Sequence, residues 1–495
     1  MSSPLADKLR PQKIEDMVGQ THLLGEGKPL INIIKSGQLP NMIFYGPPGI
    51  GKTAVVKQVA EELGLALVSY SITHHTRQSA LGLPKIVHKK YGEEEYDVSE
   101  YTMSEIISSI YDCIEDSGAK EGILFLDEVN CASETLTPTM LQFLQFKMFG
   151  RHKVPEGWIV VTAGNPVTFN RSAREFDIVT WDRLKRVDIE PDFDAWKVYA
   201  YRHGTHASVL TYLDVRKENF YKTEETVDGK KFVTARGWTD LSDIIGLYEK
   251  NNIAVDRKLI GQYLQDPEIA DDFAVYYDLF NKYKSDYQLD EILAGNAPDG
   301  IRERAKNAGF DERLSLLGLL MDKVNSEISS VIRREDMVTE LLKVLKEVKE
   351  GKALSAAIED EQNIYLRFRK MGVLSADNRD RYENVLKFLN RHLTAQTDFA
   401  GIKQEYDSMV EKMKSDAAAA GKKLENLFAF AEDVWKDGQE LLILVTELTI
   451  GYYSSRFIAR YGSEEYYKHN ESLKFYERKI EILKKGEALW QQSTM

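Results

Sequence analysis

At 495 residues the chain is longer than one hydrophobic core usually organises, so about two to four domains are expected. Hydrophobic residues at 43%, charged residues at 29% and only 13 prolines exclude a disordered or low-complexity chain. The 78 acidic residues outnumber the 65 Lys and Arg to give a net charge of -13, so nucleic acid is disfavoured as a partner unless a groove departs locally from that balance.

The two cysteines, Cys113 and Cys131, have no metal-ligand spacing around them, which predicts a reduced, cytoplasmic setting. Residues 1–16 are charged and lack the apolar core of a signal peptide. The apolar run 441–445 is too short to span a bilayer, so neither export nor membrane insertion is expected.

In chain order, NMIFY (41–45) reads as a short buried strand, followed by a Gly-Pro turn, an amphipathic helix and a second strand. Such a βαβ unit implies a parallel sheet. Between Tyr70 and Gly122 a polar stretch, about 71–100, reads as an insertion projecting from the sheet. It precedes a helix whose Met103, Ile106, Ile107, Ile110, Tyr111 and Ile114 share one face. A strand at 123–128, a helix through 139–147 and strands at 158–165 and 186–191 complete about five parallel strands, whose unbroken apolar runs predict helices on both faces.

After Pro191 the pattern is helical almost throughout, with breaks expected at 227–231, 295–300 and 416–423. The fold class is therefore α/β, with a five-stranded parallel core over 1–191, an α-helical lid over 192–305 and an α-helical C-terminal accessory domain over 306–495. In the last of these Met337, Leu341, Leu342, Leu345 and Val348 form a helical stripe, read as bundle core. No period of repeat length recurs, which excludes solenoids and propellers.

GPPGIGKT (46–53) matches the phosphate loop GxxxxGK[ST] in its proper place between strand and helix. Gly46, Pro47, Pro48, Gly49, Ile50, Gly51, Lys52, Thr53 and Ala54 are the predicted nucleotide contacts, because glycines let backbone N–H groups turn inward at a helix N-terminus. Lys52 is assigned to the β- and γ-phosphates of ATP and the Thr53 hydroxyl to Mg²⁺. ILFLDE ends in Asp127, suited to the metal, and Glu128, suited to polarising water, at the carboxyl edge of the sheet. Asn165, ending another strand, is a candidate to hold the lytic water or sense the γ-phosphate. His74 and His75 have no partners at ligand spacing and read as surface residues.

These residues resemble the AAA+ ATPases, and within them the MoxR-like family with its helix-2 insert, over about residues 4–270. The narrowing stretch is LDEVNCASETLTPTMLQFLQFKMFGRHKVPEGWIVVTAGNP (126–166), similar to that family's order of Walker B strand, helix, hairpin-like excursion and sensor strand. The resemblance implies a P-loop AAA+ core in a hexameric ring, with residues 74–84 at the pore-facing tip of the insert. VTWDRLKRVDIEPDF (179–193) is similar to the segment carrying the family's arginine finger, which implies Arg183 in that role, with Arg186 as the alternative because Leu184 stands where Phe is usual. TARGWTDLSDI (234–244) looks like the sensor 2 motif and assigns Arg236 to the nucleotide. LRPQKIEDMVGQTHLLG (9–25) is similar to the adenine-packing segment of clamp-loader-like replication ATPases, implying Val18, Gly19 and Gln20 against the base.

Two functional expectations follow. The first is a chaperone-like remodelling ATPase acting on a protein client, in this family commonly one with a von Willebrand factor A domain. The alternative is a replication- or recombination-associated ATPase acting on DNA or a DNA clamp.

Overall fold

The computed structural model describes residues 42–74, 76–226, 229–436 and 438–471. Val18, Gly19 and Gln20, expected at the adenine, lie outside the described residues, as does His75.

The described chain opens on β1 (Met42–Tyr45), the turn 46–51, α1 (Lys52–Leu63) and β2 (Ala66–Ser71). A short α2 (Arg77–Leu81) precedes the antiparallel hairpin of β3 (Pro84–Tyr91) and β4 (Glu94–Tyr101). Next come α3 (Glu105–Ser117), β5 (Gly122–Asp127), α4 (Thr137–Phe146) and the small excursion of β6 (Met148–Phe149) with β7 (His152–Lys153). Then β8 (Trp158–Gly164), α5 (Ile178–Arg183) and β9 (Lys185–Asp188) complete the core.

The five-stranded sheet has the order β2-β5-β8-β1-β9, with every pairing parallel. All of β1 and the first five residues of β5 are buried, as unbroken apolar runs require when helices cover both faces. The carboxyl ends of β5, β8 and β1 stand side by side, where an open α/β sheet places its ligand.

The insertion differs from expectation in its tip. Residues 77–81 fold as α2, capped by Thr76, with Ala80 buried. Leu83 and Thr102 exchange backbone and hydroxyl bonds, and a Cβ on Gly82 would meet the Thr102 carbonyl at 1.9 Å, which holds this end against the base of α3. The projecting tip is instead the β3–β4 turn at Gly92, whose φ of 69° suits glycine.

Beyond the core lie α6 (Phe193–His203), α7 (Ala207–Val215), the hairpin β10 (Lys222–Thr226) with β11 (Gly229–Val233), α8 (Ala235–Lys250), α9 (Arg257–Tyr263) and α10 (Pro267–Asp286). They gather around Tyr212, Trp238 and Phe273, whose rings pack pairwise at 5.2 to 5.5 Å. The hairpin occupies the expected break at 227–231, and its cross-strand Glu225 and Lys230 form an ion pair at 2.6 Å.

The remaining helices are α11 (Leu289–Leu293), α12 (Asp299–Asn307), the 40-residue α13 (Phe310–Lys349), α14 (Leu354–Lys370), α15 (Ala376–Thr394), α16 (Phe399–Trp435), α17 (Gln439–Ile450) and α18 (Tyr452–Tyr461). The break expected at 416–423 does not occur, and α16 runs straight through it. Four alanines favour helix, one Gly421 costs only about 1 kcal/mol, and Ala417 and Ala420 are buried in the bundle. Among the described residues no single helix is long and apolar enough to cross a membrane.

The bundle touches both walls of the molecule. Helix α10 gives Phe273 and Tyr277 to the lid cluster and Phe280 to the bundle cluster. After α14 the chain reaches edge strand β2: Leu67 N–H donates to the Met371 carbonyl at 2.8 Å, and Met371 and Val373 join the core under the sheet. Gly372 has φ 72°, and a Cβ there would stand 2.6 Å from the Leu67 carbonyl, so glycine permits the approach that covers this edge.

Candidate nucleotide site

The phosphate loop leaves β1 and enters α1 through Gly49 (φ 74°) and Gly51 (φ 88°). A Cβ on Gly46 would meet the Ile189 carbonyl at 2.2 Å, and one on Gly49 the Thr234 side chain at 2.9 Å, so the turn is closed tightly from both sides. Helix α1 has no side-chain N-cap, which leaves its first N–H groups to a ligand.

Lys52 is buried and donates to the Gly46 carbonyl at 2.9 Å, the Pro47 carbonyl at 2.7 Å and Asn165 Oδ1 at 2.7 Å. All three acceptors are neutral. Burial lowers its pKa to about 8, against the pull of Asp127 and Glu128, and Arg236 adds to the lowering. An ammonium so placed gains most from an incoming anion.

Thr53 Oγ1 donates to Asp127 Oδ2 at 3.0 Å, bringing a hydroxyl and a carboxylate together at one edge of the loop. Two hard oxygens beside a phosphate cradle fit Mg²⁺, which takes few protein ligands and completes its shell with water and phosphate oxygens. Glu128 has φ 55°, a left-handed turn that swings its side chain off the strand. Its Oε2 accepts from Ser71 Oγ at 3.1 Å and Thr73 Oγ1 at 3.4 Å, at the end of β2.

Lys52, Thr53, Asp127, Glu128, Asn165 and Arg236 line one cavity of about 440 Å³, together with residues 48–51 and Ala54. Arg236 belongs to the first turn of α8, and its N–H donates to the Gly49 carbonyl at 3.2 Å, so the lid helix is stitched to the phosphate loop of its own chain. Arg183 closes α5, and its side chain is outside what the structure describes. Arg186 lies over the rings of Tyr45 at 4.5 Å and Trp181 at 5.1 Å and pairs with Asp188 at 2.7 Å, engaged within its own domain.

Sequence reasoning missed part of this wall. Trp196, Tyr199 and Phe220 line the cavity from the lid, and Tyr221 OH donates to the Pro48 carbonyl at 3.2 Å. The aromatic spacing in FDAWKVYAYRH, directly after the last strand, was the available signal. The roles of Ser71 and Thr73 had no local signal.

Residues 42–180 match the family described as ATPase family associated with various cellular activities (AAA). This part of the chain is an AAA ATPase domain. The chain is similar to the Replication-associated recombination protein A of Coxiella burnetii, 47% identical over 68 residues, 14% of this chain and 16% of that protein. The protein of the same name in Haemophilus influenzae is 50% identical over 60 residues, 12% of this chain and 14% of that one. The Replication factor C small subunit of Methanocella arvoryzae is 44% identical over 57 residues, 12% of this chain and 17% of that subunit.

The chain thus spans no more than 17% of the length of these three relatives. None of these three relatives bears the name of a MoxR-like protein. The expectation against nucleic acid runs counter to them, and they lend no support to a client with a von Willebrand factor A domain.

Proposed function

We propose that the AAA domain hydrolyses Mg-ATP and that the cycle lets the chain act on DNA or on a DNA-bound clamp. The observation that carries the ATPase part is the convergence of Lys52, Thr53, Asp127, Glu128 and Asn165 on one cavity at the sheet's carboxyl edge. The relatives' replication and recombination names support the DNA part.

In this reading the amides of residues 46–53 and the Lys52 ammonium hold the triphosphate, with Lys52 exchanging its neutral carbonyl acceptors for phosphate oxygens. Thr53 and Asp127 would hold Mg²⁺, which would supply positive charge to neutralise the phosphates. Glu128 accepts a proton from the attacking water once its carboxylate leaves Ser71 and Thr73, and Asn165 orients that water. Arg236 covers the phosphates from the lid of the same chain, and Arg183 reaches the γ-phosphate of a neighbouring copy, so turnover requires assembly.

A protein-remodelling role is the second reading, favoured by one observation. The β3–β4 hairpin projects Ile86, Tyr91 and Tyr96, which are 71%, 57% and 48% exposed, as a protein-binding finger would. Phosphate release measured alone, with single-stranded DNA and with primed duplex decides between them. The DNA reading expects severalfold stimulation that fades as salt rises. Hydrolysis that no DNA alters would leave the protein-client reading.

A further inference from the structure

We propose that Asn130 is a positioning residue that locks Asn165 to the turn carrying Glu128. The inference rests on the ATPase reading above. Asn130 lies two residues past Glu128 and is buried, 2% exposed. Its side-chain amide clasps the backbone of Asn165 from both sides: Nδ2 donates to the Asn165 carbonyl at 2.7 Å, and Oδ1 accepts from the Asn165 N–H at 3.2 Å. The same Nδ2 donates to the Arg174 carbonyl at 3.3 Å, and the Asn130 carbonyl accepts from Arg174 N–H at 2.9 Å.

One side chain therefore ties together the β5 turn, the end of β8 and the segment leading to α5 and Arg183. Gly164 makes room for it, since a Cβ there would stand 2.9 Å from Asn130 Oδ1. Asn165 Oδ1 in turn receives Lys52 Nζ at 2.7 Å. Asn130 touches no phosphate itself. It fixes where the Asn165 amide stands relative to Glu128 and Lys52, and a buried donor and acceptor fully paired on one backbone define a single geometry.

The test is single-turnover phosphate release, with ATP affinity and Tm measured separately, on wild type, Glu128→Gln, Asn130→Ala, Asn165→Ala and the Asn130/Asn165 double variant. Asn130→Ala should lower the rate at least roughly tenfold at a temperature where the protein stays folded, with ATP affinity held and Tm lowered for the buried hydrogen bonds lost. The double variant should be no slower than the slower single one, because the two residues act as one unit. Gly164→Ala, which pushes the amide aside without removing it, should reproduce the loss, and adding it to Asn130→Ala should cost little more.

A wild-type rate in Asn130→Ala, rate losses that multiply in the double variant, or a loss seen only where the variant unfolds would overturn the assignment while leaving the ATPase reading intact. Equal, measurable rates in wild type and Glu128→Gln would remove Glu128 from the mechanism and overturn the assignment with it, whereas no phosphate release from wild type would overturn the ATPase reading itself.

Discussion

Two lysines, Lys52 and Lys197, are almost equally buried, at 8% and 4% exposed, yet their surroundings are opposites. Lys52 meets two carbonyls and an amide oxygen, and burial brings its pKa down to about 8. Lys197, on α6, meets the carboxylates of Asp214 at 2.5 Å and of Glu447, the latter from α17 of the C-terminal bundle. Burial pushes Lys197 down as well, but Glu447 and Asp214 outweigh it and its pKa is raised. A buried cation that owns its counter-ions is a finished structural joint, here between lid and bundle. One that owns only neutral acceptors is a receptor waiting for an anion.

Removing each cation sharpens the contrast. Lys52→Ala should abolish nucleotide binding, a loss of at least about 4 kcal/mol or a thousandfold, with Tm unchanged or slightly raised because an unpaired buried charge is gone. Equilibrium nucleotide titration beside a thermal melt checks both halves. Lys197→Met should do the reverse: two buried carboxylates lose their partner, stability falls by about 3 kcal/mol, and the folded fraction binds nucleotide as before. Denaturant unfolding measures this, and adding Asp214→Asn with Glu447→Gln should restore most of the loss.

A smaller effect tests the charge state directly. With the folded-state pKa of Lys52 near 8 before ligand binds, and raised once triphosphate surrounds it, binding above pH 8 must take up a proton. ATP affinity should therefore fall by up to roughly tenfold per pH unit above about 8 and stay flat below it. The sign for stability is opposite: the unfolded chain binds the proton more tightly, so the empty protein gains stability from Lys52 as pH rises from about 8 towards the ordinary lysine value. Calorimetry in buffers of different ionisation heat would count the proton.

The difference between the two lysines also explains what the sequence disclosed. Lys52 sits in an eight-residue pattern whose glycines and helix start are set locally, and the apolar strand ending at Asp127 and Glu128 carries its own signal. Lys197 finds Glu447 across 250 positions, and Leu67 finds Met371 across a still longer stretch, pairings that no window of sequence contains. Asn130 was invisible for the same reason, since its partners become neighbours only through the crossover that sets β8 beside β5. At α16, burial of Ala417 and Ala420 outvotes the punctuation at Gly421, whereas the break expected at 227–231 is present and only the cross-strand pairing of β10 with β11 around it went unread.

The most direct measurement of the central claim is phosphate release by Glu128→Gln under conditions where it binds ATP as tightly as wild type. The account predicts unchanged affinity and a rate lowered at least about a hundredfold, because the substitution removes the base and leaves the cradle of residues 46–53 intact. A Glu128→Gln protein that releases phosphate as fast as wild type would contradict it.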